Sequence, residues 1–92
     1  MRVKDDFILR QIAGESLLIP VGEAALSVNG LIALSESGCL LYERLKTDCT
    51  RQDLINLLLQ EYEVTEEIAG ADVDAFLEQM RALKMLDEST TQ

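Results

Sequence analysis

The sequence contains no histidine, which removes several kinds of active site at once. No Ser–His or Cys–His nucleophile pair can form, and zinc sites that use imidazole are excluded. A glycine-rich phosphate loop is also missing, and none of the 17 acidic side chains stands in a spacing typical of acid–base catalysis. We therefore predict that the chain is not an enzyme and that it carries no metal and no cofactor.

Cysteine is scarce too, with only Cys39 and Cys49 in the chain. Two cysteines do not build a disulfide framework, so we interpret one as a small core residue and the other as part of a turn. No apolar run approaches the ~20 residues that span a bilayer. The N-terminal segment MRVKDDF leads into no signal-type apolar stretch. These absences favour a cytoplasmic protein.

Basic side chains are outnumbered, since 8 lysines and arginines stand against 17 acidic residues and leave a net charge of -9. Proteins that bind nucleic acid usually show a basic footprint, and anionic membranes attract basic segments. We therefore expect no nucleic acid and no membrane surface among the partners. The 92 residues, 48% of them hydrophobic, suit a single domain with its own core.

Three short strands are predicted in the N-terminal third of the chain. Residues 7–12 alternate between two faces, residues 16–21 form a second β-rich run, and Ala13-Gly14-Glu15 supplies the turn between them. An Asn29-Gly30 reversal then leads into the apolar third strand, Leu31 to Leu34. The segment EAALS before this reversal is either a loose connection or one helical turn.

Three helices are predicted after the strands, each beginning at a capping residue. Ser35, Thr50 and Thr65 are good N-caps, and Thr50 resembles a capping box with Asp at the third helical position. The last helix shows the i, i+3, i+4 spacing of an amphipathic helix. Gly70 lowers the expectation of an unbroken start there, because glycine costs roughly 1 kcal/mol in a helix interior.

This order predicts an α+β, winged-helix-like fold in which three short N-terminal β-strands are followed by a three-helix cluster. We expect one domain over residues 1–92, with an ordered core at about 7–86 and a frayed C-terminal tail at 87–92. A winged helix often binds DNA, but fold does not dictate function. The last helix would face the phosphates with acids, so charge disfavours a winged-helix transcription regulator. Those acids are Glu66, Glu67, Asp72, Asp74 and Glu78.

An ordered set of short motifs resembles the PqqD-like family, the small peptide chaperones of coenzyme PQQ biosynthesis and their relatives. It begins with Phe7 and Arg10 before the Gly14 turn and continues with LSESG at 34–38 and LYE at 41–43. It goes on with Thr50, Asp53, Leu54, Leu58 and the YEV run at 62–64, and it ends in the last helix region with Asp72-Val73, Phe76-Leu77 and Leu83 to Leu86. Two positions depart from the family pattern: Ser35 replaces the usual Asn, and Lys84 stands where relatives often have Gly. The second departure bears on how the last helix ends.

The resemblance implies the fold called the RiPP recognition element, which binds leaders of ribosomally made precursor peptides. In this family the leader is held as an extra strand against the third strand, and its apolar side chains enter a groove beside the last helix. An apolar edge strand is an aggregation liability unless something covers it, and a leader would cover it. The peptide-binding candidates are Leu31, Ile32, Ala33, Leu34, Ile68, Asp72, Val73, Phe76 and Met80.

Two readings stay open for the helix residues in this set. Val73, Phe76 and Met80 are either groove walls or simply core, because helical apolar stripes mostly face cores. Asp72 is either a solvated acid or a partner for basic leader side chains.

The resemblance therefore implies a non-catalytic peptide chaperone that presents a leader to a separate modifying enzyme. In the PqqD case this enzyme is of the radical S-adenosylmethionine type, and a similar partner is expected here. The alternatives are the transcription regulator and a structural subunit that pairs sheet edges with itself. An open edge permits a monomer or a dimer.

Overall fold

The chain forms a three-stranded antiparallel sheet followed by three main helices, in a computed structural model that describes residues 1–27 and 30–88. This confirms the predicted α+β class and the order of its main elements. The strands are β1 Arg2–Val3, β2 Phe7–Ile12, β3 Glu15–Pro20, β4 Ile32–Leu34 and β5 Leu86–Asp87. The helices are α1 Ala24–Ser27, α2 Glu36–Arg44, α3 Arg51–Glu61 and α4 Glu66–Ala82.

A two-residue turn joins β2 to β3. Ile12 pairs with Glu15, so the turn is Ala13-Gly14 alone, with φ of 53° and 81°. Positive φ at both positions is the type I′ geometry, which suits the twist of a hairpin. The turn is thus one residue shorter than predicted. Of the predicted Asn29-Gly30 reversal, Gly30 has a positive φ of 84°, whereas position 29 lies outside the described residues.

Strand β4 lies at the edge of the sheet, whose order is β2-β3-β4. Its register with β3 pairs Leu18 with Ile32 and Ser16 with Leu34. Leu18 is fully buried, and Ile32 and Leu34 are half-buried on the same inner face. Among residues 1–27 and 30–88 no strand pairs with the other side of β4, so that side presents free backbone donors and acceptors.

Each main helix begins at its predicted N-cap. The Gly38 N–H donates to Ser35 Oγ at 3.1 Å, and the Ile68 N–H donates to Thr65 Oγ1 at 3.2 Å. Thr50 forms a full capping box: its Oγ1 accepts from the Asp53 N–H, and its own N–H donates to the Asp53 carboxylate. These local bonds satisfy amides that a helix leaves unpaired.

Helix α4 continues through Gly70 without a break. A Cβ at this position would lie 3.3 Å from Arg51 Nη2 and 3.8 Å from Ile55 Cδ1, so the missing side chain lets α4 approach α3 closely. Beside this contact, the Arg51 guanidinium donates two hydrogen bonds to the Asp74 carboxylate at 2.7 and 3.0 Å.

The core lies between the inner face of the sheet and the three main helices. Its fully buried side chains are Tyr42, Leu18, Leu41, Leu45, Leu54, Leu58, Leu77, Met80, Met85 and Val73. Cys49 is buried in the connection from α2 to α3, so it combines the two roles predicted for the cysteines, and Cys39 is half-buried on α2. Burial raises the pKa of the Cys49 thiol, which lowers its reactivity.

The two chain ends meet in a small second sheet that the sequence did not predict. Arg2 pairs with Asp87 and Val3 with Leu86. Strand β5 therefore includes Asp87, the first residue of the tail that was expected to fray. Residues 89–92 of that predicted tail lie outside the described residues. The uncertain segment before β4 contains the single helical turn α1. No helix within the described ranges is long and apolar enough to cross a membrane.

Candidate functional site

A groove runs between the free side of β4 and helix α4, and we call it the β4–α4 groove. It encloses about 260 Å³. Ala33 and Leu34 line it from the strand, and Ser35 closes it at the helix cap. The remaining lining residues come from two helices: Ser37, Gly38 and Leu41 of α2, and Asp72, Ala75, Phe76 and Gln79 of α4.

The α4 wall follows from helical geometry. Asp72, Phe76 and Gln79 are spaced four and three residues apart, so they stand on one face of the helix. Phe76 is only 6% exposed and forms an apolar part of the groove surface, whereas Asp72 and Gln79 are exposed. This wall therefore combines an aromatic floor with a polar rim.

The α2 wall depends on a small residue. A Cβ on Gly38 would lie 3.3 Å from Ser35 Oγ and 3.6 Å from Leu34 Cβ, so the missing side chain helps the first turn of α2 to pack closely against the end of β4. Leu41, one turn later, is 1% exposed and extends the apolar surface between strand and helix.

The predicted strand residues divide between the groove and its surroundings. Ala33 and Leu34 line the groove, and Ile32 is half-buried beneath the strand. Leu31 is 55% exposed and precedes β4, which begins at Ile32. Of the four residues 31–34 that were predicted to form the ladder, the strand therefore contains only the last three.

The predicted helix residues divide in the same way. Asp72 and Phe76 line the groove, but Val73 and Met80 are 0% exposed and belong to the core. The core reading holds for these two residues, which support the groove from below. Ile68 is 51% exposed, one turn before Asp72 on the same side of α4, and does not line the groove.

Sequence reasoning missed six lining residues, namely Ser35, which was predicted only as an N-cap, and Ser37, Gly38, Leu41, Ala75 and Gln79. Two of them carried a usable signal, because Ala75 and Gln79 lie three and seven positions after Asp72 and share its helical face. The three α2 residues could not be assigned, since their side of the groove depends on how α2 packs against α4.

The charge of the β4–α4 groove is one-sided. Asp72 is the one charged residue among its lining residues, and no lysine or arginine lines it within the described part of the chain. The polar rim otherwise consists of hydroxyl and amide groups. Together the features suit an extended peptide, with backbone pairing at β4, apolar contacts at the floor and an acid at the rim.

Known protein structures include some that resemble this chain. No curated protein sequence matches it. A complex of TbiB1 with the TbiA(beta) leader peptide has a similar structure, with a TM-score of 0.75, 17% sequence identity and coverage of 96% of both chains. Lasso peptide synthetase B1 complexed with the leader peptide has a TM-score of 0.71 and 20% sequence identity, and the match covers 91% of this chain and 93% of the other.

These two similarities bear on the fold alone, and they agree with the predicted architecture. The family assignment comes from the sequence, because the family model of coenzyme PQQ synthesis protein D (PqqD) matches residues 17–86. The matched region spans β3 to β5 and so contains both walls of the β4–α4 groove. The resemblance noted in the sequence is confirmed, and the chain belongs to the PqqD family.

Proposed function

We propose that the chain is a non-catalytic peptide-binding module that holds the leader of a ribosomally made precursor peptide and presents it to a modifying enzyme. The observation that carries this proposal is the free side of β4 next to a groove with an apolar floor. Membership of the PqqD family supports it, as do the leader peptides bound to both structurally similar proteins.

Binding begins with strand addition in this mechanism. The leader pairs its backbone with β4, which makes recognition tolerant of sequence. Because β4 has only three residues, the ladder supplies few hydrogen bonds. Most of the affinity therefore comes from a few anchoring side chains. Alternate leader residues point into the groove, where Leu34, Leu41 and Phe76 contact them.

The chemistry belongs to a separate enzyme in this proposal. We assign a radical S-adenosylmethionine enzyme as the partner type, following the PQQ branch of the family, and place the complex in the cytoplasm. The module then acts by concentrating the substrate and fixing its register, which raises the effective concentration of the leader at the enzyme.

An NMR titration tests the proposal directly. The isotope-labelled full chain is titrated with a synthetic leader from a short precursor encoded beside its gene. Saturable amide shifts are expected at Ala33, Leu34 and along 72–79 of α4. Saturable shifts confined to other surfaces, or none at millimolar leader, would contradict the proposal.

A matched pair of variants separates groove binding from general effects of charge. Ala75→Arg places a long side chain in the groove, whereas Ala71→Arg adds the same charge on an exposed part of α4 outside it. We expect Ala75→Arg to weaken leader binding by about tenfold or more, as loss of a central anchor does. Ala71→Arg should retain the wild-type Kd, and equal loss in both variants would argue against the assigned groove.

A further inference from the structure

A second pocket adjoins the β4–α4 groove at the start of α2, and we call it the Tyr62 pocket. It encloses about 290 Å³ and shares Ser35, Ser37 and Asp72 with the groove. Its other lining residues are Glu36, Leu58, Tyr62 and Val64. Since the two cavities have three residues in common, one peptide can occupy both.

The Tyr62 pocket has apolar walls and acidic groups. Leu58 is buried, and Tyr62 and Val64 are half-buried, so together they form an apolar surface. Glu36 and Asp72 are exposed carboxylates. No lysine or arginine lines the pocket, and neither acid forms an ion pair within the part of the chain that the structure describes.

The Tyr62 hydroxyl adds a hydrogen-bonding group to the lining of this pocket. Its oxygen is buried and has no hydrogen-bond partner at ordinary distance among the described residues. Burial raises the pKa of this hydroxyl most, and the Glu36 carboxylate raises it further, both through its charge and by accepting a hydrogen bond outside the ordinary geometry. The Tyr62 oxygen therefore keeps lone pairs that accept no hydrogen bond at ordinary distance, so a guest that donates a hydrogen bond to it would gain affinity.

We propose that the Tyr62 pocket receives a lysine or arginine side chain of the leader whose apolar anchor occupies the β4–α4 groove. The methylene stem lies on Leu58 and Val64, and the cationic head pairs with Glu36 and Asp72. An N–H of the head donates to the Tyr62 oxygen. This inference rests on the proposed function, and it adds a class of leader to it: an apolar anchor with a basic residue nearby.

An anionic guest is disfavoured at the same place. The pocket includes the N-terminus of α2, which by itself attracts anions. Glu36 occupies the first turn of that helix, however, and Asp72 adds a second negative charge across the pocket. Two carboxylates outweigh the partial positive charge of one helix end, so the pocket selects a cation.

Selection from random peptides tests the class of leader without knowledge of the natural one. The immobilised full chain selects from a displayed library of random extended peptides, and the Ala75→Arg variant serves to identify those that bind in the groove. We expect groove-dependent peptides to share an apolar anchor and a lysine or arginine at a constant spacing from it.

Variants then test whether the two carboxylates recognise the basic residue. Glu36→Gln with Asp72→Asn removes both carboxylates, whereas Glu23→Gln with Glu67→Gln removes two exposed acids that line neither cavity. For a selected peptide, we expect the first pair to weaken binding by about five- to tenfold, as for partly exposed charge pairs. The second pair should change Kd less than twofold. Circular dichroism of each variant confirms that it is folded.

The same peptide with glutamine in place of its basic residue completes a double-mutant cycle. It should bind the wild type and the Glu36→Gln, Asp72→Asn variant equally, because the interaction is already lost. Groove-dependent peptides without a basic preference would overturn this inference and leave the proposed function standing. A failure to select any groove-dependent peptide would overturn both.

Discussion

At the scale of single residues, two positions take a backbone conformation that suits glycine better than the residue present. Lys84 has a φ of 58°, and Ala13 has a φ of 53°. The left-handed region is unfavourable for residues with a Cβ, so both positions hold a small local strain. Each therefore offers a stabilising substitution away from the β4–α4 groove.

Lys84 ends α4 in a Schellman motif. The Met85 N–H donates to the Met80 carbonyl and the Lys84 N–H to the Arg81 carbonyl, both at 2.9 Å. This pattern usually has glycine at the position of Lys84. Relief of the strain in Lys84→Gly should raise the free energy of unfolding by about 0.5 to 1 kcal/mol, measured by urea denaturation. Lys84→Ala removes the same charge but keeps the strain, so a gain of equal size in that variant would contradict the explanation.

Ala13 occupies the first position of the type I′ turn, where asparagine is preferred. We expect Ala13→Asn to raise the free energy of unfolding by about 0.5 kcal/mol, because asparagine tolerates positive φ. Ala13→Val should lower it, since a β-branched side chain is poorly tolerated there. Chemical denaturation of the three proteins side by side checks the order Asn, Ala, Val, and any other order would reject the turn assignment.

At the scale of secondary-structure elements, the contact between α3 and α4 makes stability depend on pH. The Arg51 hydrogen bonds hold the pKa of Asp74 below its usual value. A carboxyl group whose pKa is lowered by folding stabilises the folded state at pH values above its unfolded pKa of about 3.9. This stabilisation is lost as the pH falls through the pKa that the group has in the folded state. Asp74→Asn should therefore lose less stability than the wild type between pH 5 and pH 2, by urea denaturation at each pH.

Arg51→Gln provides the matched test of this cause. It removes the partner instead of the carboxylate, so the pKa of Asp74 loses its main lowering interaction. The same part of the acid-induced loss should disappear as in Asp74→Asn. A full wild-type loss in Arg51→Gln would mean that another carboxylate produces it, for example Asp53, whose pKa is lowered by its capping bonds with Thr50.

Elements whose signals are local were predictable from the sequence, and those formed by distant contacts were not. Ser35, Thr50 and Thr65 act within three residues of their own position, so their helix starts follow from the sequence. The pairing of β1 with β5 joins two-residue segments from opposite ends of the chain. Strands of two residues are too short to show the alternation of apolar and polar residues that predicts a strand.

Only some of the groove residues were predictable, again because the others depend on contacts between separate elements. The i, i+3, i+4 pattern locates the apolar stripe of α4 but not the limit between core and groove. Val73 and Met80 are fully buried and belong to the core, whereas Phe76 is almost buried and also lines the groove, so it lies on the limit. Which residues lie on that limit depends on how α2 packs against α4, and this contact between separate helices has no local sequence signal.

At the scale of the whole molecule, the net charge of -9 bears on two competing uses of β4. The free side of the strand can pair with a leader or with the same strand of a second copy. Like charges repel between copies, whereas a basic leader of the class proposed above would be attracted. We therefore expect the acidic surface to favour the proposed leader over self-association.

Salt should move these two uses in opposite directions. Screening shortens the range of charge interactions from roughly 30 Å at 0.01 M to roughly 3 Å at 1 M ionic strength. We expect a selected basic peptide to bind more weakly as salt rises, and dimerisation of the free chain to strengthen. Fluorescence anisotropy measures the binding of the peptide, and sedimentation velocity measures dimerisation. Each is carried out at about 20 mM and at about 500 mM salt, which lie between these two screening limits. If the peptide also blocks the high-salt dimer, both events use the same strand; a dimer that persists with saturating peptide would place self-association on another surface.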